Sequence, residues 1–129
     1  MALPITTLTA CILSALFVLL SVRVIQMRGK SKVSLGDGGD EILVRRIRGQ
    51  GNLAEYAPFG ILLILLAELQ VAPAFLTGVC AAILVMGRLC HAYALSFSKS
   101  SPRARITGMI MTFTGIVLLI CLNLFYLVQ

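Results

Sequence analysis

The chain contains 129 residues with a formal net charge of +6; 59% of them are hydrophobic, only 12% are charged, and the mean hydropathy is +0.99. Soluble chains average roughly 45–50% apolar and about 25% charged residues, and a soluble fold of this size could not bury so many apolar side chains. The composition excludes a soluble enzyme, an acidic disordered tail and a disulfide-rich scaffold, and it predicts a protein that crosses a lipid bilayer several times.

Long apolar runs follow one another along the chain. Three runs carry no charged residue, at positions 1–22, 69–87 and 106–129. A fourth, at positions 49–67, carries one, Glu55. A transmembrane helix needs about 20 apolar residues, and the runs lack the alternation of a transmembrane barrel. The sequence therefore predicts one all-α membrane domain over residues 1–129, a four-transmembrane-helix bundle with helices at residues 4–27, 40–69, 73–98 and 102–128.

Basic residues concentrate in two of the connections between these helices. The first connection, from Arg23 to Arg48, holds most of them, the third holds several more, and the second holds none. The positive-inside rule then predicts that both basic loops are cytoplasmic and that both termini lie outside. Topology and contact with anionic lipids are a sufficient explanation for some of these charges, namely Lys30, Lys32 and Lys99.

Small residues within the helices are interpreted as packing residues. The cysteines show no CxxC spacing, so we expect no metal site and no disulfide framework. They are Cys11, Cys80, Cys90 and Cys121. Glycine and alanine at helical spacing predict close helix contacts. The pairs are Gly78 with Ala82 and Gly108 with Gly115.

Polar side chains collect at one level of the predicted bundle, its cytoplasmic half. Arg45, Arg48, Asn52 and Glu55 follow one another at steps of three, four and three, which places them on one stripe of helix 2. Glu55 lies about 10 Å along the helix from Arg48, within the hydrocarbon, where a carboxylate is costly unless it meets a cation or a polar cavity. Four short helices form such a cavity most easily between subunits, so we expect a small closed homo-oligomer.

The same level of the membrane holds several arginines, one carboxylate and one amide, which indicates a ligand with carboxylates and an ammonium group. Arginine binds carboxylates bidentately, and a buried glutamate suits an ammonium. A zwitterionic acidic peptide such as glutathione has this pattern. The alternative stays open that Arg48, Asn52 and Glu55 only join helices through ion pairs.

The segment from Arg48 to Pro58, RGQGNLAEYAP, resembles the second-helix signature of the MAPEG family, the membrane-associated proteins of eicosanoid and glutathione metabolism. That signature is an arginine, an asparagine four residues later and a glutamate three residues after that, commonly followed by tyrosine and proline. Other arginines and His91 fall where the family places further basic or aromatic site residues, and the resemblance extends over nearly the whole chain.

The resemblance implies a homotrimer of four-helix subunits that binds glutathione, as co-substrate, between neighbours near the cytosolic face. Glu55 would hold the γ-glutamyl ammonium, and Arg48 and Asn52 would hold other polar groups of the peptide. Gln50 and Arg28 of the neighbouring subunit would hold a carboxylate.

The remaining site residues implied by the resemblance lie on helices 2, 3 and 4. Tyr56, Arg88 and His91 would line the glutathione site, and Arg105 or Arg103 would face the thiol as the catalytic cation. Phosphate contact at the membrane surface is the alternative role for the two arginines of helix 4. For His91, proton or hydrogen-bond donation and a purely structural role remain equally open.

These features together predict a membrane-bound glutathione transferase that conjugates glutathione to hydrophobic electrophiles dissolved in the lipid. Peroxidase activity toward lipid hydroperoxides is a secondary hypothesis. A non-catalytic lipid- or glutathione-binding protein is the main alternative. A small multidrug exporter fits less well, because such proteins carry their essential glutamate in helix 1, which here is uncharged before Arg23. We expect lipid and further copies of the chain as partners, and no nucleic acid.

Overall fold

The computed structural model describes residues 2–97 and 101–128, and this part of the chain forms four α-helices. They are α1 (Pro4–Ser31), α2 (Glu41–Leu69), α3 (Ala74–Ser96) and α4 (Pro102–Leu127). Each helix is long and apolar enough to cross a membrane. The expected all-α membrane fold is confirmed; the predicted end of helix 3 at residue 98 and the position of Lys99 lie outside the described residues.

Local signals in the sequence explain where three of the helices begin. Pro4 and Pro102 each occupy the first turn of a helix, where the missing N–H of proline costs nothing. Asp40 is the N-cap of α2, and its carboxylate accepts hydrogen bonds from the N–H groups of Ile42 and Leu43 at 2.9 and 3.1 Å. The cap fixes the start of the helix that carries the predicted site.

The end of α1 lies one turn beyond its predicted position. The last turn contains Arg28 and Lys30, whose charges suit the negative end of the helix dipole. Lys32 then adopts the left-handed conformation, and the N–H of Val33 closes the end by donating to the carbonyl of Arg28 at 3.1 Å. The helix therefore extends to Ser31, past the point where the apolar run stops.

Helices α2 and α3 form the centre of the bundle. Both pack against α1 and against α4, whereas α1 and α4 do not contact each other within the described residues. One apolar cluster joins α1, α2 and α3 through Leu13, Leu16, Leu20, Leu53, Ala57 and Ala92. A second joins α2, α3 and α4 through Ile64, Cys80, Ala81, Leu84 and Leu119.

Helices α3 and α4 approach most closely where two glycines meet. A Cβ added to Gly108 would lie 2.7 Å from the backbone nitrogen of His91, and one added to Gly87 would lie 2.8 Å from the backbone nitrogen of Thr112. The predicted close contact at Gly108 is therefore confirmed. Gly78 differs, since an added Cβ there would meet nothing within 4 Å in the subunit.

Polar contacts tie the helices together at both ends of the bundle. At one end, the carboxylate of Glu68 accepts hydrogen bonds from the N–H groups of Ile5 and Thr6 at 3.1 and 2.8 Å, which joins the end of α2 to the start of α1. At the other end, Arg23 Nη2 donates to the carbonyl of Ser96 at 2.5 Å. Between these ends, every helix exposes large apolar side chains, as expected for surfaces that face lipid or another subunit.

Candidate functional site

The predicted stripe of α2 lies on the outside of the subunit. Arg48 and Glu55 are exposed and Asn52 is half-buried. Glu55 makes no ion pair or hydrogen bond with any residue in the described part of its own chain. A carboxylate that lies within a membrane-spanning helix is costly when no residue of its own chain compensates it.

Arg48 and Asn52 line a small cavity of about 170 Å³ at the ends of three helices. His91 of α3 and Arg105 of α4 line the same cavity, so the structure brings together four of the residues that the sequence predicts for the site. Arg45 is a further basic residue of the lining, and none of the described residues that line the cavity carries a carboxylate. The excess of positive charge makes this cavity suitable for an anionic group.

A larger groove of about 800 Å³ adjoins this cavity and shares Arg45 and Arg105 with it. Its remaining wall is mostly the apolar face of α4, including Met109, Ile110 and Phe113. Glu41 also lines the groove. The groove therefore combines two guanidinium groups and one carboxylate with a surface that an apolar molecule can contact.

Arg88 lies inside the subunit, with only 1% of its surface exposed. Its Nη1 donates to Asn52 Oδ1 at 2.6 Å, its Nε donates to Thr112 Oγ1 at 2.8 Å, and its Nη2 lies 3.4 Å from Met109 Sδ. The guanidinium carbon is 5.2 Å from the centre of the Tyr56 ring. Arg88 therefore holds α2, α3 and α4 together and reaches the predicted site through Asn52 rather than through the cavity wall.

Tyr56 lies beside this interior network. It is half-buried, and its ring packs edge-on against Phe113 of α4 with ring centres 5.6 Å apart. Since Phe113 also lines the large groove, Tyr56 lies close to the boundary between the interior of the subunit and that groove.

Gln50 and Arg28 lie away from the cavity. Gln50 is two residues after Arg48, which rotates it by about 200° around the helix. Its Nε2 donates to Ser21 Oγ of α1 at 3.2 Å. Arg28 Nη1 donates to the carbonyl oxygens of two loop residues, Ser34 at 3.3 Å and Gly36 at 2.8 Å. Within one subunit, these two residues are not brought together with Arg48 and Asn52.

Arg103 and Arg105 both lie in the first turn of α4 and are exposed. Only Arg105 lines the cavity and the groove. Of the two predicted catalytic residues, Arg105 is therefore the one that the fold places next to Arg48 and Asn52.

The sequence-based site omits Arg45 and Thr112. Its spacing places Arg45 on the predicted stripe, three residues before Arg48, although it was not among the predicted site residues. Its Nη2 donates to the carbonyl of Ala94 near the end of α3 at 2.9 Å. Thr112 lies one turn after Gly108 within an apolar helix, and its role as the acceptor for Arg88 depends on which side of α4 meets α3.

Comparisons with known proteins agree with this architecture. The model of the MAPEG family matches residues 6–125. The chain is 36% identical over 117 residues to the inner membrane protein YecN of Escherichia coli strain K12, an alignment that covers 90% of this chain and 88% of that protein. The same protein of Escherichia coli O6:H1 strain CFT073 matches with the same identity and coverage. This similarity and the four apolar helices identify an integral membrane protein, and the chain belongs to the MAPEG family.

Proposed function

We propose that this protein is a membrane-bound glutathione transferase whose site lies between the subunits of a homotrimer. The observation that carries the proposal is the single cavity where Arg48 and Asn52 meet Arg105. It places cations suited to carboxylates and to a thiolate within one space, on the helix whose sequence resembles the family signature. We place the site in the cytoplasmic half of the membrane, with both termini outside, because the basic connections lie at this end.

Glutathione carries two carboxylates, one ammonium group and two amides. Arg48 binds a carboxylate through its guanidinium fork, and Asn52 donates to a carboxylate or carbonyl oxygen. Glu55 lies one turn further along the same stripe and binds the γ-glutamyl ammonium. These assignments use Arg48, Asn52 and Glu55 once each and provide the exposed carboxylate of Glu55 with a counter-charge.

Two observations support a site that is shared between subunits. Glu55 is exposed and has no partner in the described part of its own chain, although it lies within a membrane-spanning helix. Gln50 and Arg28 lie away from the cavity that Arg48 lines. A neighbouring copy that presents Gln50 and Arg28 to this cavity completes the set of polar groups, and it also covers the carboxylate of Glu55.

Arg105 activates the thiol of the bound peptide. A free thiol with a pKa of about 8.5 is only a few per cent thiolate at pH 7, and a neighbouring cation favours the charged form. The thiol proton passes to solvent, the sulfur forms a bond to an electrophilic carbon, and the leaving group departs with the electrons of its bond. A cation near the sulfur thus raises the population of the nucleophile.

The second substrate reaches the sulfur along the groove of about 800 Å³. Its apolar wall on α4 accepts a molecule that is dissolved in the lipid, while Arg105 lies at the end next to the cavity. Lipid hydroperoxides are also candidate substrates. Attack of the thiolate on the peroxide oxygen releases the lipid alcohol, and a second glutathione converts the sulfenic acid to glutathione disulfide and water.

A glutathione titration of the purified protein in detergent tests the proposal, with the ultraviolet absorbance of the thiolate and equilibrium binding as readouts. Arg48→Ala and Glu55→Ala should each weaken binding, whereas Arg105→Ala should bind glutathione but lose most of the thiolate signal. Lys30→Ala is the matched control, because it removes an exposed charge from α1 outside the cavity.

A second assay follows conjugation of glutathione to a chlorinated dinitrobenzene. Activity that parallels the thiolate signal supports the transferase. Unchanged binding in both Arg48→Ala and Glu55→Ala contradicts the site, and binding without any thiolate or conjugate in the wild type contradicts catalysis and indicates a binding protein instead.

A further inference from the structure

A second basic cleft lies at the same end of the bundle, between the end of α1, the start of α2 and the end of α3. Its volume is about 320 Å³. Its polar wall consists of Arg23, Arg45, Arg46 and Ser96. Of these, only Arg45 also lines the proposed glutathione cavity. The proposed glutathione cavity therefore does not account for Arg23, Arg46 and Ser96.

The guanidinium groups in this cleft are held in place by backbone and ring contacts. Arg23 Nη2 donates to the carbonyl of Ser96 at 2.5 Å, and its guanidinium carbon lies 3.9 Å from the centre of the Phe97 ring. Arg46 Nη1 donates to the carbonyl of Arg23 at 2.9 Å. Neither arginine makes an ion pair within 4 Å with a carboxylate in the described part of the chain, and Arg46 is attracted by Asp40 only from a longer distance.

Several buried polar atoms of this cleft have no hydrogen-bond partner among the described residues. They are Nε of Arg23, Nε of Arg46 and Oγ of Ser96. Ser96 is only 6% exposed, and the N–H groups of both arginines are donors, so an oxygen-rich acceptor would satisfy this set. A buried donor that stays unpaired is costly, which indicates that a ligand or ordered water completes the cleft.

The charges around the cleft favour an anion. Arg23 and Arg46 repel each other, and Arg45 adds a third positive charge. Asp40 is the acidic residue that attracts Arg46, but its carboxylate already accepts hydrogen bonds from the hydroxyl of Ser31 and from the start of α2. An anion bound in the cleft would relieve the repulsion and accept the free hydrogen bonds at the same time.

We propose that this cleft binds the phosphate group of an anionic membrane phospholipid. Phosphate offers several strong acceptor oxygens to a set of arginine donors, and basic pockets between transmembrane helices bind such head groups. Ile42 and Phe97 also line the cleft and are 54% and 44% exposed, which provides an apolar surface for the acyl chains. This apolar wall favours a lipid over free phosphate as the source of the anion.

The test is lipid retention by the full-length protein in a neutral detergent, measured by native mass spectrometry after addition of phosphatidylglycerol or phosphatidylcholine. The wild type should retain phosphatidylglycerol in preference to phosphatidylcholine. Arg46→Gln should reduce this retention about tenfold, the effect of losing a hydrogen bond to a charged group. Lys30→Gln is the matched control for general attraction of anionic lipid to basic side chains, since it removes one exposed charge outside the cleft. It should reduce retention less than Arg46→Gln does.

A second variant separates lipid binding from folding. Ser96→Ala removes a buried hydroxyl that has no hydrogen-bond partner in the described part of the chain, so the lipid-free protein should be at least as stable as the wild type, while phosphatidylglycerol retention falls. Equal retention of phosphatidylglycerol by Arg46→Gln, Ser96→Ala and Lys30→Gln overturns the proposal. Equal retention of both lipids by the wild type also overturns it. Thermal stabilisation by inorganic phosphate that equals the effect of phosphatidylglycerol overturns the assignment to a lipid and identifies free phosphate as the ligand.

Discussion

The side chains of Arg88 and Asn52 are joined by a hydrogen bond of 2.6 Å that links the interior of the subunit to the cavity at its surface. Asn52 Oδ1 accepts from Arg88 Nη1, so the amide NH2 of Asn52 is left to donate to a ligand. Thr112 holds the guanidinium from the other side at 2.8 Å. Arg88 is therefore a positioning residue, because it fixes the direction in which Asn52 presents its donor.

This relationship predicts that Arg88→Gln weakens glutathione binding although Arg88 does not line the cavity. The loss should be about tenfold or more in Kd, since the hydrogen bond that orients Asn52 involves a charged donor. The double variant Arg88→Gln/Asn52→Ala should lose no more affinity than Asn52→Ala alone, because both changes remove the same oriented amide. Glutathione titrations of the single and double variants measure the coupling.

Gln50 provides the matched control for this cycle. It contacts Ser21 of α1 and makes no contact with the Arg88 network within the described chain, so Arg88→Gln and Gln50→Ala should reduce affinity independently. If the Arg88→Gln/Asn52→Ala variant instead loses the product of the two separate effects, Arg88 acts independently of Asn52 and the positioning role is wrong.

The sequence predicted the helices well because their signals are local. Hydropathy locates membrane spans, and Asp40 and Pro102 mark helix starts by their own chemistry. The site was harder to predict. The spacing of three between Arg88 and His91 places both on one side of α3, but it does not say which neighbouring helix covers each residue. The structure places His91 in the cavity wall and Arg88 in the interior.

Gln50 and Arg28 show a second reason why the site could not be predicted completely from the sequence. Their side chains contact Ser21 and a loop of their own chain, so their role in the proposed shared site depends on how neighbouring copies would meet. Helical spacing within one chain carries no information about that arrangement. The exposed Glu55 is the feature of a single chain that supports the proposed arrangement of neighbouring copies.

The close approach of α3 and α4 predicts a large effect of a single methyl group. In Gly108→Ala the new Cβ would lie 2.7 Å from the backbone nitrogen of His91 and 2.8 Å from the carbonyl oxygen of Gly87, and backbone atoms cannot move aside cheaply. We expect the free energy of unfolding to fall by about 1–3 kcal/mol, as for other overpacked sites. Thermal unfolding in detergent, followed by circular dichroism, measures the change.

Gly29→Ala is the matched control for this variant. Gly29 lies in α1 with nothing within 4 Å of an added Cβ, so alanine should leave stability unchanged or raise it by up to about 1 kcal/mol through its higher helix propensity. Equal effects of Gly29→Ala and Gly108→Ala would contradict close packing of the two helices.

Asp40 predicts a pH dependence at the start of α2. The hydroxyl of Ser31 and the N–H groups of Leu43 and Ile42 hold the pKa of this carboxyl below its ordinary value, because they donate to the charged form. A pKa that is lowered by folding contributes stability that is fully present above the unfolded value of about 3.9 and is lost as the pH falls through the lower folded value. Hydrogen exchange at the amides of Ile42 and Leu43, corrected for the intrinsic effect of pH, should therefore show protection that is constant near neutrality and decreases only below about pH 4.

Asp40→Asn is the matched control, because it keeps an acceptor at the cap without a titrating group. The protection of the same two amides should be lower in this variant at neutral pH and should not change across this range. A loss of protection that begins well above the ordinary pKa of aspartate, or one that is identical in Asp40→Asn, would mean that the carboxylate of Asp40 does not hold this helix end.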